Sequence, residues 1–171
     1  SGKGEGGIRL YGPKDFEGMR KAGKLAAEAL DLLVAHVQPG VRTEELDDIV
    51  FEFASSRGAI PAPLNYRGFP RSICTSVNHV VCHGIPGPKP LKNGDIVNID
   101  VTLIVDGWHG DSSRMYPVGQ ISRRAERLIE ITYESLMRGI AAVKPGNTTG
   151  HIGAAIQKFA EAERCSVVRD F

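Results

Sequence analysis

The stretch "VNIDVTLIVDGWHGDSSR", residues Val97–Arg114, decides the fold of the region around it. Asp106-Gly107 lies between two runs in which apolar and polar residues alternate, and such a pair is a strong signal for a two-residue β-hairpin turn. A hairpin that closes there sets Thr102 opposite Asp111. Side chains alternate along a strand, so one face, which we expect to pack on helices, carries Ile99, Val101, Leu103, Val105 and Trp108.

Two carboxylates, Asp100 and Asp111, share the opposite face of this predicted hairpin. They lie on a diagonal across the two strands, where backbone positions are roughly 7–8 Å apart. Three interpretations fit such a pair: a solvated face with two unrelated acids, a divalent cation held by both carboxylates, or two acids that share one proton. His109 also alternates onto this face, and we interpret it as structural, together with His36, His79 and His151.

The composition is typical of a soluble globular protein, because 42% of the 171 residues are apolar and 24% are charged. A net charge of +1 gives no reason to expect direct binding to nucleic acid or to an anionic membrane. No apolar run reaches the roughly 18 residues that a membrane span needs. Three cysteines, Cys74, Cys82 and Cys165, show no disulfide pattern, which favours a reducing compartment. Residues 1–12 are expected to be a flexible leader.

Two helices are predicted before the hairpin. Apolar residues recur at helical spacing from Asp15 to Val37, and Pro39-Gly40 ends this helix. Thr43 has a side chain that often caps helices, so we expect it to cap the second helix.

A later helix pair repeats this first pair at an offset of 106 residues. It is expected to start at Ser122, to break at Pro145-Gly146 and to continue in a helix that Thr149 caps. The repeat predicts a duplicated unit of two helices followed by strands. In the second copy, "SVVRDF" begins a strand at the end of the sequence. The identical pairs are Glu28/Glu134, Leu30/Leu136, Ala35/Ala141, Val37/Val143, Pro39/Pro145, Gly40/Gly146, Thr43/Thr149, Phe53/Phe159 and Ala54/Ala160.

His83 stands in "VCHGIPGP", directly after a predicted strand. Lone histidines are more often structural than functional. The Gly and Pro that follow His83 favour a loop that faces a cleft, where functional residues concentrate.

These residues together resemble a known family. The segment "NYRGFPRSICTSVNHVVCHGIPGPKPLKNGDIVNIDVTLIVDGWHGDSSRMYPVG" is similar to type I methionine aminopeptidases of metallopeptidase family M24, and the resemblance extends from about Pro13 to Phe171. It implies the α+β pita-bread fold, with two pseudo-symmetric halves around a curved antiparallel sheet and helices on one face. Residues 13–171 would then be a catalytic domain with a complete first half and a truncated second half.

The resemblance also implies roles for individual residues. Asp100 corresponds to a ligand of one metal ion, and Asp111 to the carboxylate that bridges two. His83 corresponds to a catalytic histidine that contacts the substrate. Tyr66, Phe69 and Cys74 correspond to part of the pocket for the methionine side chain.

The implied activity is metal-dependent removal of the initiator methionine from nascent polypeptides, near the ribosome, when the second residue is small. The expected cofactors are two divalent ions of Co, Mn, Fe or Zn, and the expected location is the cytoplasm or an organellar matrix. This chain spans about the first two thirds of the family length, without the later His and Glu ligands. Alone, it is therefore expected to bind metal weakly or not at all, to be inactive and to self-associate, whereas the complete protein would be a monomer. The alternative is a non-catalytic pita-bread module that binds a peptide or a partner protein.

Overall fold

The structure, a computed structural model, describes residues 7, 9–65, 68, 70–78, 84–165 and 167. The chain forms two compact units, residues 1–121 and 122–171. Among the residues that the structure describes, the elements of the first unit named here are two α-helices, a 3-10 helix and four strands, and those of the second are two α-helices. In chain order the elements are α1 (Pro13–Leu33), α2 (Thr43–Ser56), β1 (Ile60–Pro61), the 3-10 helix (Ala62–Asn65), β2 (Cys74–Val77), β3 (Ile96–Val105), β4 (Trp108–Pro117), α3 (Arg123–Ala141) and α4 (Thr149–Ala162).

The hairpin β3–β4 closes as the sequence predicts. Asp106 and Gly107 form the turn with φ angles of 50° and 81°, the positive values that a type I′ turn requires. The register pairs Val105 with Trp108 and Thr102 with Asp111. The predicted pairing is therefore confirmed.

Strand β3 lies at the centre of an antiparallel sheet. Strand β4 pairs with it along its whole length, while β1 and β2 pair with different parts of it. Asp100 consequently has two cross-strand neighbours, Cys74 on β2 and Ser113 on β4. The sheet thus brings Cys74, which precedes the hairpin in the chain, beside the carboxylate of Asp100.

Helix α1 packs closely on the apolar face of the hairpin. Gly110 makes this possible, because a Cβ atom at that position would lie only 2.1 Å from the carbonyl carbon of Ala22. The predicted apolar face is confirmed, with Trp108 partly buried at its end and the remaining members fully or almost fully buried. The core residues of α1 are Ala22, Ala26, Ala29, Leu30 and Leu33.

Helix α1 is shorter than predicted, although most of the predicted apolar pattern is buried, including Ala22, Ala29 and Leu33. It ends at Leu33 rather than Val37, because the amides of Val34 and His36 bond to carbonyls three residues back, which tightens the last turn. Phe16, the first apolar residue of the helical pattern that begins after Asp15, is 50% exposed. The small side chains of α1 face the hairpin instead, since they permit its close approach.

Two predicted helix caps are wrong by one residue. Helix α3, expected to start at Ser122, begins at Arg123, and Ser122 is its N-cap, with Oγ accepting the N–H of Ala125 at 3.1 Å. The N-cap of α2 is Arg42, whose N–H donates to Glu45 at 2.7 Å. Thr43 instead accepts the N–H of Gly87 with its hydroxyl at 2.9 Å.

In α4 the N-cap is Thr148 rather than Thr149, and the Thr148 N–H donates to Nδ1 of His151 at 2.8 Å. Helices α2 and α4 nevertheless both have 14 residues, and their ends match at the 106-residue offset of the repeat. Most of the expected strand after α4 lies outside the described residues. Within the described part of the chain, none of the helices is both long and apolar enough to cross a membrane.

Candidate functional site

Asp100 and Asp111 lie on the face of the hairpin opposite α1. Asp100 is in the middle of β3 and is partly buried, while Asp111 is on β4 and exposed. Gly110, the residue before Asp111, is the one that contacts α1. Because side chains alternate, that contact directs Asp111 to the other face, which it shares with Asp100.

A side-chain donor holds one oxygen of each carboxylate. Thr102 Oγ1 donates to Oδ1 of Asp111 at 3.0 Å, and Asn98 Nδ2 donates to Oδ1 of Asp100 at 3.2 Å. Ser113 Oγ in turn donates to Oδ1 of Asn98 at 2.9 Å. Asn98 and Thr102 flank Asp100 at alternate positions of β3, so three consecutive side chains on this face form an ordered polar row.

This donor set fits a divalent cation. Among the described residues, neither Asp100 nor Asp111 forms an ion pair. Hard cations take carboxylate oxygens, and the outer hydrogen bonds that orient such ligands are a usual part of metal sites. The described part of the chain holds no cluster of three or more His, Cys, Asp or Glu suited to a metal. Among the described residues, Asp100 and Asp111 are the carboxylates on this face of the hairpin.

Cys74 stands beside the carboxylate face. It is the first residue of β2, is partly buried and pairs directly with Asp100. Ser76 follows on the same face opposite Asn98, and its buried hydroxyl has no hydrogen-bond partner among the described residues. The structure therefore places Cys74 near the candidate metal ligands.

Three predicted site residues, His83, Tyr66 and Phe69, lie outside the described residues, and so does His79. The residue after His83 is described: the Gly84 carbonyl accepts the N–H of Thr75 on β2 at 2.9 Å. A Cβ at Gly84 would be 1.8 Å from the Thr75 oxygen. The chain therefore runs directly against β2 at this point.

Sequence reasoning missed the residues that support the site. The alternation of Asn98, Asp100 and Thr102 along one strand was a usable signal for the two donors. Asp47 gave no such signal, because it bonds to the amides of Ser72 and Ile73, 25 and 26 residues away. His109 pairs with Ile104 and is exposed, and its interpretation as structural stays a prediction.

The sequence profile of metallopeptidase family M24 matches residues 17–171. The chain belongs to metallopeptidase family M24. It is 60% identical over 164 residues to the methionine aminopeptidase of Rickettsia prowazekii, and 53% identical over 166 residues to that of Escherichia coli strain K12. Each match covers 96% of this chain and 63% of the relative. The chain thus spans less than two thirds of the length of these M24 relatives.

Solved structures agree with the M24 assignment. The methionine aminopeptidase of Rickettsia prowazekii superposes with a TM-score of 0.94 at 60% identity, over 96% of this chain and 66% of that one. The enzyme of Thermotoga maritima superposes with a TM-score of 0.92 at 35% identity, with the same coverage. The prolidase of Pyrococcus furiosus, at 21% identity and a TM-score of 0.78, shares the fold alone. The predicted α+β pita-bread fold of this M24 chain is confirmed.

Proposed function

We propose that this chain belongs to a methionine aminopeptidase that removes the initiator methionine when the next residue is small. The observation that carries the proposal is the placement of Asp100 and Asp111 on one hairpin face with an orienting donor for each. The identity to methionine aminopeptidases supports it.

Asp100 would hold one metal ion, and Asp111 would bridge two, drawn from Co, Mn, Fe or Zn. When bound, such ions supply Lewis acidity and an activated water. Asn98 and Thr102 keep the two carboxylates in place by occupying one oxygen of each. His83 would contact the substrate and donate a hydrogen bond to the oxygen of the scissile carbonyl as charge develops there.

Cys74, with Tyr66 and Phe69, would form part of the wall of the methionine pocket. A thioether chain needs polarizable or apolar walls of matching shape more than it needs charge. Cys74 is suited to this role because it combines a soft sulfur with a position directly across from Asp100. The scissile bond would thus lie between this wall and the carboxylates.

The substrates in the cell would be the N-termini of nascent polypeptides near the ribosome, in the cytoplasm or an organellar matrix. The complete protein would act as a monomer without direct contact to nucleic acid. The residue bounds proposed for the leader, 1–12, and for the catalytic domain, 13–171, stay predictions. The 171-residue polypeptide alone contributes two carboxylates from its described residues, whereas each ion of a bridged pair takes about four to six ligands. We therefore expect it to release no methionine.

The test is methionine release from a Met-Ala-Ser peptide by the protein made from the complete reading frame, depleted of metal and then supplied with Mn²⁺. We expect release by the wild type and none above background by Asp111→Asn. The matched control is Asp106→Asn, the same change at the exposed hairpin turn, where Asp106 pairs with Lys21 at 3.1 Å. Equal activity of all three proteins would refute the assignment of Asp111. Peptide binding by the wild type without release would favour the non-catalytic module.

A further inference from the structure

A buried carboxylate on α2 anchors the segment that leads into β2. Asp47 is only 5% exposed. Its Oδ1 accepts the N–H of Ser72 at 2.7 Å and the N–H of Ile73 at 3.0 Å. Both of these residues are themselves buried. Buried main-chain amides need partners, so one side chain fixes two consecutive peptide units.

Ion pairs around Asp47 also bind the same segment through the side chain of Arg71. Oδ2 of Asp47 lies 4.0 Å from the guanidinium of Arg71, and that guanidinium also lies 3.7 Å from Glu44. Arg42 pairs with Glu44 at 2.6 Å. The pKa of Asp47 is raised overall, because the effect of burial is the largest. The amides of the anchored segment and the charge of Arg71 lower this pKa, and neighbouring Asp48 raises it. The first turns of α2 therefore bind both the backbone and a side chain of the segment before β2.

The anchored segment ends next to the candidate site. Ile73 is followed by Cys74, which pairs with Asp100. Ile73 is fully buried in the core. Its side chain packs in the core and its amide bonds to Asp47, so both fix the segment. The two amides that Asp47 binds therefore lie directly before Cys74, although Asp47 is not on the carboxylate face.

We infer that Asp47 is a positioning residue that sets the wall of the methionine pocket against the metal ligands. This role rests on the proposed function, and it concerns substrate selection rather than metal binding. A carboxylate can accept both amides at once, whereas Ala leaves two buried donors without a partner. An Asn side chain retains one oxygen that can accept both amides, so it should substitute for the carboxylate in binding the backbone, while it loses the charge that faces Arg71.

The first measurement is amide hydrogen exchange in the 171-residue chain. Asp47→Ala should speed hydrogen exchange at the amides of Ser72 and Ile73 by about tenfold or more. The variant lacks the two hydrogen bonds from these amides to Asp47, so the segment opens more easily. Asp47→Asn should exchange like the wild type. The matched control is Asp48→Ala, which changes the neighbouring, exposed carboxylate of the same helix. Unchanged exchange in Asp47→Ala would overturn the anchor itself.

The second measurement is the kinetics of the complete reading frame with Met-Ala-Ser and Leu-Ala-Ser peptides. Asp47→Ala should raise KM for the Met peptide by about tenfold and reduce the preference for Met over Leu, since small displacements of positioning groups are costly. Its kcat and Mn²⁺ affinity should stay close to those of the wild type, and Asp47→Asn should restore both KM and the preference. If Asp47→Ala does not fold, Asp47→Glu, which displaces the carboxylate by one methylene, should show the same change in KM.

The outcomes separate the two proposals. A wild-type protein that releases no methionine would refute both the proposed function and the positioning role of Asp47. An active wild type, combined with an Asp47→Ala protein (or Asp47→Glu, where Asp47→Ala does not fold) that matches Asp48→Ala in KM and in the Met preference, overturns the positioning role alone.

Discussion

Gly110 is the point at which α1 lies directly on the hairpin that carries the candidate ligands. In Gly110→Ala the new Cβ would lie 2.1 and 2.2 Å from the carbonyl carbon and oxygen of Ala22, and 2.4 Å from the nitrogen of Gly23. Ordinary carbon contacts begin at about 3.5 Å, so the helix must retreat by roughly 1.4 Å. The clashing atoms are backbone and cannot move aside by a rotamer change.

The expected cost lies near the upper end of the range for overpacked cores, about 3 kcal/mol. For a chain of this size that loss lowers Tm by roughly 6–12 °C. Trp108, the single tryptophan, lies against Gly18 of α1, so its fluorescence reports this interface during thermal unfolding.

The matched control is Gly23→Ala on the same helix, where a Cβ meets no atom within 4 Å. Ala is favoured over Gly in a helix interior by about 1 kcal/mol, so this variant should be more stable than the wild type. The two Gly→Ala changes should therefore shift Tm in opposite directions. A Gly110→Ala protein that unfolds at the wild-type temperature would refute the close packing of α1 on β4.

Three further results are expected. In the protein from the complete reading frame, Asn98→Ala should weaken Mn²⁺ binding by about 10- to 100-fold in a calorimetric titration, because it removes the hydrogen bond that orients the Asp100 carboxylate. Unchanged affinity would show that Asn98 does not orient this ligand. His83→Ala should lower kcat by about 10² to 10⁴-fold with little change in Mn²⁺ affinity, whereas a lost metal would make His83 a ligand. Tyr116 donates to the carbonyl of Leu30 at 2.6 Å, and burial raises its pKa from 10.0 to about 12. Its neutral form is thus favoured on folding, so its stabilisation is complete below pH 10 and is lost as pH rises towards 12. Tyr116→Phe should remove this loss in denaturant titrations at pH 8 and 11, and an unaltered pH dependence would contradict it.

The hairpin was predictable because its signals are local. The Asp-Gly turn and the alternation of residues fix the register within about twenty residues of chain. The shared face of Asp100 and Asp111 follows from that register alone. The roles of Asp100, Asp111, His83, Tyr66, Phe69 and Cys74 come from family resemblance and stay predictions.

The remaining features depend on contacts between distant parts of the chain. The pairing of Cys74 with Asp100 requires the register of β2 on β3, which no turn signal sets. Thr43 is a better capping residue than Arg42 by type, but its hydroxyl is bonded to Gly87, more than forty residues away. No local pattern in the sequence distinguishes Asp47 from the other acidic residues of its helix. Only the fold brings it to the two amides that it binds.

The two-metal site is tested most directly by the number of Mn²⁺ ions bound per chain by the protein from the complete reading frame, measured by calorimetric titration of the wild type and of Asp111→Asn. Two carboxylates on one hairpin face, one of them shared between ions, predict two ions for the wild type. They predict that Asp111→Asn weakens both sites together, because a bridging ligand serves both ions. Asp106→Asn, with its carboxylate removed at the turn of the same hairpin, should bind like the wild type. Two ions bound with wild-type affinity by Asp111→Asn would show that Asp111 does not bridge the two ions.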